Sequence, residues 1–321
     1  MRAIQVATAG SAKLVEVTDP ESVGDDIVVE VVTASICATD RKLTARGFTE
    51  PRIPGHEVTG RLPDGALVGI HPEISCGVCQ FCRAGWDNRC ADRLALGIGR
   101  DGGLAERLVV PRDRLIPLQG LAPETGAMLE PLACVVHAIA VTEINRGVPT
   151  LVVGGGVMGI LAAWTLAAMD CPVALAQRSA GRRELAAKLG IAPVAKNAAE
   201  AVDALGTSPE FVMVTAPGAE PLRDALDVVA VGGLVHAFAG TPGGADIDAN
   251  TIHYRHLRLL GSTGSRLSDY ARARDLAVQG AVPLASLPHE VVSLSTVVDR
   301  LSGSPQSAGA LKTVVRIGDG V

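Results

Sequence analysis

The stretch from Thr150 to Gly159 reads TLVVGGGVMG, and it decides the architecture of the chain. An apolar, β-branched run enters Gly154, Gly156 and Gly159 in a G-x-G-x-x-G pattern, and the residues that follow, GILAAWTLAAM, read as a buried helix. The first glycine permits a tight turn, the second lets the backbone approach a pyrophosphate, and the third lets helix pack on strand. The helix N-terminus, with Val157 and Met158 in its first turn, then faces the anion. A purely structural glycine turn is the other reading of the same residues. No charge occurs between Val148 and Met169, a span long enough to resemble a membrane helix. The change of character at Gly154, however, suits a strand, a turn and a helix better.

Outward from this motif the pattern repeats. PVALAQ, FVMVTA and LVHAFAG read as strands and RRELAAKLG and LRDALDVVA as helices, so the region 146–264 is predicted to be an α/β Rossmann domain with a doubly wound parallel sheet. Upstream, short strands such as IQVA, KLVEV and DIVVEVVTAS alternate with Pro/Gly-rich turns, an all-β barrel pattern. Beyond Gly264 the helix DYARARDLAVQG and the strand LKTVVRI look like a return to that first domain, which is therefore expected to comprise 1–145 and 265–321. Two domains suit a chain of 321 residues that is 48% hydrophobic.

The acidic residue that binds the adenosine ribose of NAD is expected at the end of the next strand, roughly 20 residues on. Gln177 stands there, and it offers no anionic acceptor. Arg178, Ser179, Arg182 and Arg183 just beyond could hold a 2′-phosphate, so NADP(H) is favoured over NAD(H). The other reading of these arginines is the solvated start of a helix.

Within the first domain, Cys76, Cys79, Cys82 and Cys90 form a C-x2-C-x2-C-x7-C run inside a lobe at about 72–95. Four closely spaced thiolates read as a tetrahedral zinc site that is closed and therefore structural. A ferredoxin-type cluster would want its fourth cysteine after three residues and a proline behind it, whereas seven residues intervene here and Ala91 follows. Chemistry must lie elsewhere. Cys37 in ICATD, at the end of a strand, and His56-Glu57 in PGHEVTG are each weak signals alone.

Composition excludes other classes. Lys plus Arg number 29 against 34 Asp plus Glu, a net charge of −5 with no basic block, so nucleic acid is not an expected partner. MRAIQVATAG lacks the apolar core of a signal peptide, and seven cysteines with a metal-like cluster suit a reducing compartment, so the cytoplasm is expected and a membrane is not.

Taken together, ICATD, PGHEVTG, CGVCQFCRAGWDNRC, DGGLAE, LEPLACVVHA, GGGVMG and IHYRHLRLLGS, in this order, resemble the zinc-containing medium-chain dehydrogenase/reductase family of alcohol, polyol, sugar and threonine dehydrogenases. The resemblance covers essentially the whole chain. It implies a GroES-like β-barrel catalytic domain beside the Rossmann domain, two zinc ions per chain, and homodimers or homotetramers. It makes Cys37 and His56 ligands of a catalytic zinc, with Glu57 a ligand or a close carboxylate, and Glu130 in LEPLAC a glutamate that approaches the metal. By the same matching Asp40 orients His56, and Thr39 relays the alcohol proton. Two departures stand out: Lys42 occupies the place of the histidine that commonly ends the relay, and the link VTGRLPDGALVGIHPE is short.

The function implied is hydride transfer between a secondary alcohol, such as a polyol, sugar or amino-alcohol, and the nicotinamide, with a small alcohol or carbonyl compound as the substrate. A biosynthetic ketone or aldehyde reductase on the same scaffold, and a non-catalytic NADP(H)-binding redox sensor, remain as alternatives. Intact Cys37, His56, Glu57 and Thr39 argue against the sensor.

Overall fold

The computed structural model describes residues 1–304 and 306–317 and divides into two compact units. One comprises Cys134–Thr263 with Gln279–Ser286; the other comprises Met1–Ala133, Gly264–Val278 and the chain from Leu287 onward. The boundary falls inside a single helix, Leu129–Ala140, whose first residues belong to one unit and whose remainder belongs to the other.

The nucleotide-binding motif sits in a six-stranded, all-parallel sheet. Its order is Val194–Ala195, Val173–Ala176, Thr150–Val153, Phe211–Val214, Leu234–Ala237 and Arg258–Gly261. Numbered along this unit, that is 3-2-1-4-5-6, the doubly wound order of dinucleotide-binding sheets. Thr150–Val153 is buried at every position because it lies between two parallel partners, pairing with Val173 on one side and Phe211 on the other. Leu151, Val212, Val235 and Ala225 anchor one core of this unit, and each fully buried leucine or valine contributes roughly 1.5–3 kcal/mol.

Three elements of this unit carry weak sequence signals. Val194–Ala195 is too short for any periodicity, and the helix Ala198–Leu205 begins at Asn197, whose side chain accepts from the Glu200 amide at 2.9 Å. The edge strand Arg258–Gly261 lies inside IHYRHLRLLGS, where polar residues mask its apolar core.

The other unit is built on a seven-stranded sheet. The ten-residue strand Asp26–Ser35 is its spine, pairing antiparallel with Arg107–Pro111, Glu57–Arg61 and Lys312–Arg316. The sheet continues through Leu67–Ile70 and Leu115–Pro117 on one side and His289–Ser293 on the other. Ile4, Val29, Val31, Ile70, Leu104 and Val315 are among the side chains that close its core.

One expectation is corrected here. Cys37 does not end a strand: the strand stops at Ser35, and Cys37 is the N-cap of the helix Ala38–Arg46. The cause is Asp40, whose carboxylate accepts the Cys37 amide at 2.8 Å and so starts a helix where the apolar alternation had suggested continued extension. Thr39 accordingly stands in the first helical turn. Among the described residues no helix is long and apolar enough to cross a membrane.

Candidate active site

Two segments converge at the end of the Asp26–Ser35 spine, and Asp40, fully buried, gathers them: one oxygen takes the Cys37 amide at 2.8 Å, and the other takes the Gly55 amide at 3.2 Å and lies 3.3 Å from His56 Nδ1. Gly55 has φ +100°, and a Cβ there would meet Leu104 at 2.9 Å, so only glycine lets the chain enter His56 on this path. Cys37, His56 and Glu57 then bring one thiol, one imidazole and one carboxylate within 4.8 Å of one another.

The electrostatics of this trio are those of a site built for a cation. Burial disfavours imidazolium at His56, yet the Asp40 carboxylate and Cys37 outweigh it and raise the His56 pKa well above its ordinary value. Burial likewise works to raise the Asp40 pKa, but His56 and the Cys37 amide hold it low. The field at His56 thus favours a positive charge in spite of burial.

Glu57 is held from behind. In register with Ser35 across the sheet, it accepts the Ser35 hydroxyl on Oε2, while Lys312 Nζ spans both oxygens, 2.6 Å from Oε1 and 2.5 Å from Oε2. Lys312 is itself buried; burial alone would lower its pKa, but Glu57 first, and then Cys37, raise it. Glu130, buried on the helix Leu129–Ala140, lies in the same field, acting on Lys312, Tyr270 and Glu73, but it is not one of the three converging groups. Thr39 is half-buried beside the trio's helix cap, and Lys42 is exposed on the same helix.

These residues adjoin a buried polar layer of Glu73, His71 and Tyr270, in which His71 has the structural role its sequence context suggests. Glu73, pushed up to about 7 by burial, faces Arg93 Nε at 3.1 Å. His71 Nε2 meets the Ser265 carbonyl at 3.1 Å, and burial pushes its pKa down to about 4. The Tyr270 ring packs edge-on against His71, and burial pushes its hydroxyl pKa up, with its oxygen 2.7 Å from where a Cβ on Gly69 would stand. Glu73 and Tyr270 sit in mixed polar surroundings that give no local signal, and Lys312 shows only as a charge at the head of the apolar run of LKTVVRI.

The four-cysteine lobe is a second constellation. All four sulfurs lie within 4.8 Å of one another, with Cys79 to Cys82 at 3.5 Å and Cys76 to Cys82 at 4.0 Å. A tetrahedral ion with bonds of about 2.3 Å spaces its ligands roughly 3.8 Å apart, so the donor set fits. Backbone amides of Val78 and Cys79 lower the Cys76 thiol to about 7, while Cys90, despite a backbone hydrogen bond from Cys76, is pushed up to about 11 by burial and the neighbouring thiols. Arg89 stacks on the Trp86 ring at 3.9 Å and Arg266 lies 4.6 Å from it, which ties the lobe to the chain that follows Gly264.

In the other unit, the glycine turn opens on a pocket of about 290 Å³ at the carboxyl end of the central strands. Gly154 has φ +115°, and a Cβ there would meet Thr215 Oγ1 at 2.7 Å; a Cβ on Gly159 would overlap the Gly154 carbonyl. These are the tight turn and the close helix–strand approach that the motif demands. Gly154, Gly156, Gln177, Arg178 and Arg182 line the pocket, whereas Ser179 caps the helix Ala180–Lys188 and Val157 and Met158 open the helix behind the turn. Lys196, Thr215 and Glu220 join them.

Comparison with known proteins bears on the family and the fold. Residues 24–120 match the model of the alcohol dehydrogenase GroES-like domain, and residues 157–279 match that of zinc-binding dehydrogenases. A solved structure described as a zinc-binding dehydrogenase of Sinorhizobium meliloti 1021, bound to NADP, is 32% identical, with a TM-score of 0.88 over 98% of both chains. L-galactonate-5-dehydrogenase of Escherichia coli K12 is 28% identical over 80% of this chain and 82% of its own length. L-threonine 3-dehydrogenase of Rhizobium johnstonii is 28% identical over 84% of each.

Proposed function

Because this chain belongs to the zinc-containing medium-chain dehydrogenase/reductase family, we propose that it oxidises a secondary alcohol of the polyol, sugar or amino-alcohol class with NADP⁺, at the site formed by Cys37, His56 and Glu57. The observation that carries this is the Asp40 clamp, which holds a thiol and an imidazole together in a buried, cation-seeking field. The names of the two curated relatives, dehydrogenases of L-galactonate and of L-threonine, favour small, densely functionalised alcohols.

A zinc ion held by Cys37 and His56, with Glu57 close by, would supply Lewis acidity to the substrate hydroxyl. The residues of the chain do the rest. Asp40 fixes the ring of His56 and leaves its other nitrogen for the metal. Lys312 and Ser35 hold the Glu57 carboxylate by hydrogen bonds and keep it from swinging freely. Thr39, half-buried in the first turn of the helix Ala38–Arg46, takes the proton released by the alcohol.

A second zinc, held by Cys76, Cys79, Cys82 and Cys90, has a structural role. Gln177 in place of an acidic residue, with Arg178 and Arg182 on the pocket wall, supports NADP(H) over NAD(H), and the NADP-bound relative points the same way. The protein is read as a cytoplasmic homo-oligomer; among the described residues its cysteines are free, in keeping with a reducing compartment.

The test is a screen of polyols, sugars and sugar acids, and amino-alcohols with NADP⁺ and NAD⁺, following absorbance of the reduced cofactor. Turnover of at least one secondary alcohol, faster with NADP⁺, is expected. Activity confined to primary aromatic alcohols, or to NAD⁺, would overturn the corresponding half of the proposal.

A further inference from the structure

The nucleotide pocket is lined by charges of both signs. Arg178, Arg182 and Lys196 supply cations, while Glu220 and Asp224, one turn apart on the helix Ala219–Val228, supply anions. The arginines that follow Gln177 are not equivalent. Arg183 Nη1 donates to the carbonyl oxygens of Gln177 at 2.9 Å and Arg178 at 2.6 Å, so its guanidinium holds the turn together. Arg182 lies by the glycine turn, its Nη1 4.0 Å from where a Cβ on Gly156 would stand. Arg178 is 80% exposed, with Nη1 3.4 Å from Glu220 Oε2.

Glu220 is therefore the anion paired with Arg178, one of the cations that line the pocket. It follows the fourth strand of the sheet, not the second, so it does not occupy the position from which an acidic residue takes the ribose hydroxyls of NAD. The acidic side is also crowded. Burial raises the Asp224 pKa, and Glu220 and Asp227 raise it further, while Arg178 opposes them.

We propose that Glu220 sets the strength of dinucleotide discrimination by holding Arg178 in an ion pair that a 2′-phosphate must take over. The inference rests on the NADP(H) reading above and deepens it. The exchange is feasible because an exposed pair at 3.4 Å is weak, whereas a phosphate offers a guanidinium two strong acceptor oxygens at once. Glu220 restrains NADP(H) affinity through that competition and through its repulsion of the incoming phosphate, and neither effect acts on NAD(H), which carries no 2′-phosphate. Arg183 acts indirectly, by fixing the backbone from which Arg178 reaches across.

Calorimetric titration of the purified full chain with NADP⁺ and with NAD⁺ tests this, using wild type, Glu220→Gln, Arg178→Gln and the double variant. Glu220 and Arg178 are largely exposed, so folding is not at stake. Glu220→Gln is expected to tighten NADP⁺ by about threefold to tenfold, the scale of one exposed ion pair plus the relieved repulsion, and to leave NAD⁺ unchanged. Arg178→Gln is expected to weaken NADP⁺ by about tenfold or more, and in its background Glu220→Gln should lose most of its effect. Weaker NAD⁺ binding by Glu220→Gln would make Glu220 a ribose ligand and overturn the proposal, as would an equal or absent change for the two cofactors. A wild type that binds NAD⁺ more tightly, with Arg178→Gln affecting neither cofactor, would instead remove the NADP(H) reading and this inference with it.

Discussion

Replacing Lys312 by methionine tests the support behind the proposed catalytic site. The substitution keeps the length and the apolar stem of the side chain and removes its charge. Lys312 Nζ lies 2.6 Å from Glu57 Oε1, and both side chains are buried. At that separation the attraction is about 6 kcal/mol in an effective dielectric near 20. Desolvating the two charges costs several kcal/mol each, so the intact pair is close to break-even. Removing one partner is different: Glu57 then keeps only the Ser35 hydroxyl and stays buried without a counter-charge. The expected loss is about 3–5 kcal/mol of stability. Urea denaturation of protein stripped of metal with a chelator, so that no zinc stands beside Glu57 as a counter-charge, followed by circular dichroism measures it. Lys312→Met should lower the midpoint steeply, and Lys312→Met/Glu57→Gln should recover part of that loss because the orphaned charge is gone. A loss below about 1 kcal/mol in the single variant, or a further loss in the double, would refute the idea that this pair carries opposite buried charges.

Other consequences concern the metal, the proton and pH. Asp40→Ala should weaken zinc binding about tenfold to a hundredfold, measured by competition with a chromogenic chelator, because His56 loses its orienting carboxylate; unchanged affinity would count against the clamp. Thr39→Ala should depress turnover about a hundredfold or more with zinc content unaltered, as expected for loss of a proton-relay group. His71, held near 4 by burial, is neutral when folded and takes a proton near 6.5 when unfolded. The folded pKa is the lower one, so its contribution of about 3 kcal/mol is present above pH 6.5 and is lost as pH falls toward 4. His71→Asn should flatten the fall in stability over that window, and an undiminished slope would exclude His71 as its source.

The sequence carried different parts of this protein with unequal clarity. TLVVGGGVMG was legible because a buried parallel strand, a glycine turn and an apolar helix each leave their own residue pattern, and the doubly wound order 3-2-1-4-5-6 follows from that beginning. Val194–Ala195 left no pattern because two residues cannot show periodicity. Cys37 was read as strand because the apolar run of DIVVEVVTAS leads straight into it, and only the Asp40 carboxylate turns the chain into a helix.

In the candidate site, the residue types that hold metals stood out, and the residues that hold them in place did not. Lys312 opens LKTVVRI as an ordinary charged strand end; its role depends on Val314 pairing with Ser35, which in turn pairs with Glu57. Glu220 in PGAEPLRD looks like a solvated helix start until the fold sets it beside Arg178. Long-range register, which no local pattern encodes, is what brings these groups together.

The proposed chemistry rests on zinc at Cys37 and His56, separate from the four-cysteine lobe, and zinc content per chain measured together with turnover tests it most directly. Elemental analysis of wild type and Cys37→Ala, each purified without added metal, would be paired with NADP⁺ reduction on the best alcohol from the screen. The expected result is two zinc ions in wild type, one in Cys37→Ala, and activity in the former alone. A variant that keeps both ions and its turnover, or a wild type with zinc only in the Cys76–Cys90 lobe and full activity, would contradict it.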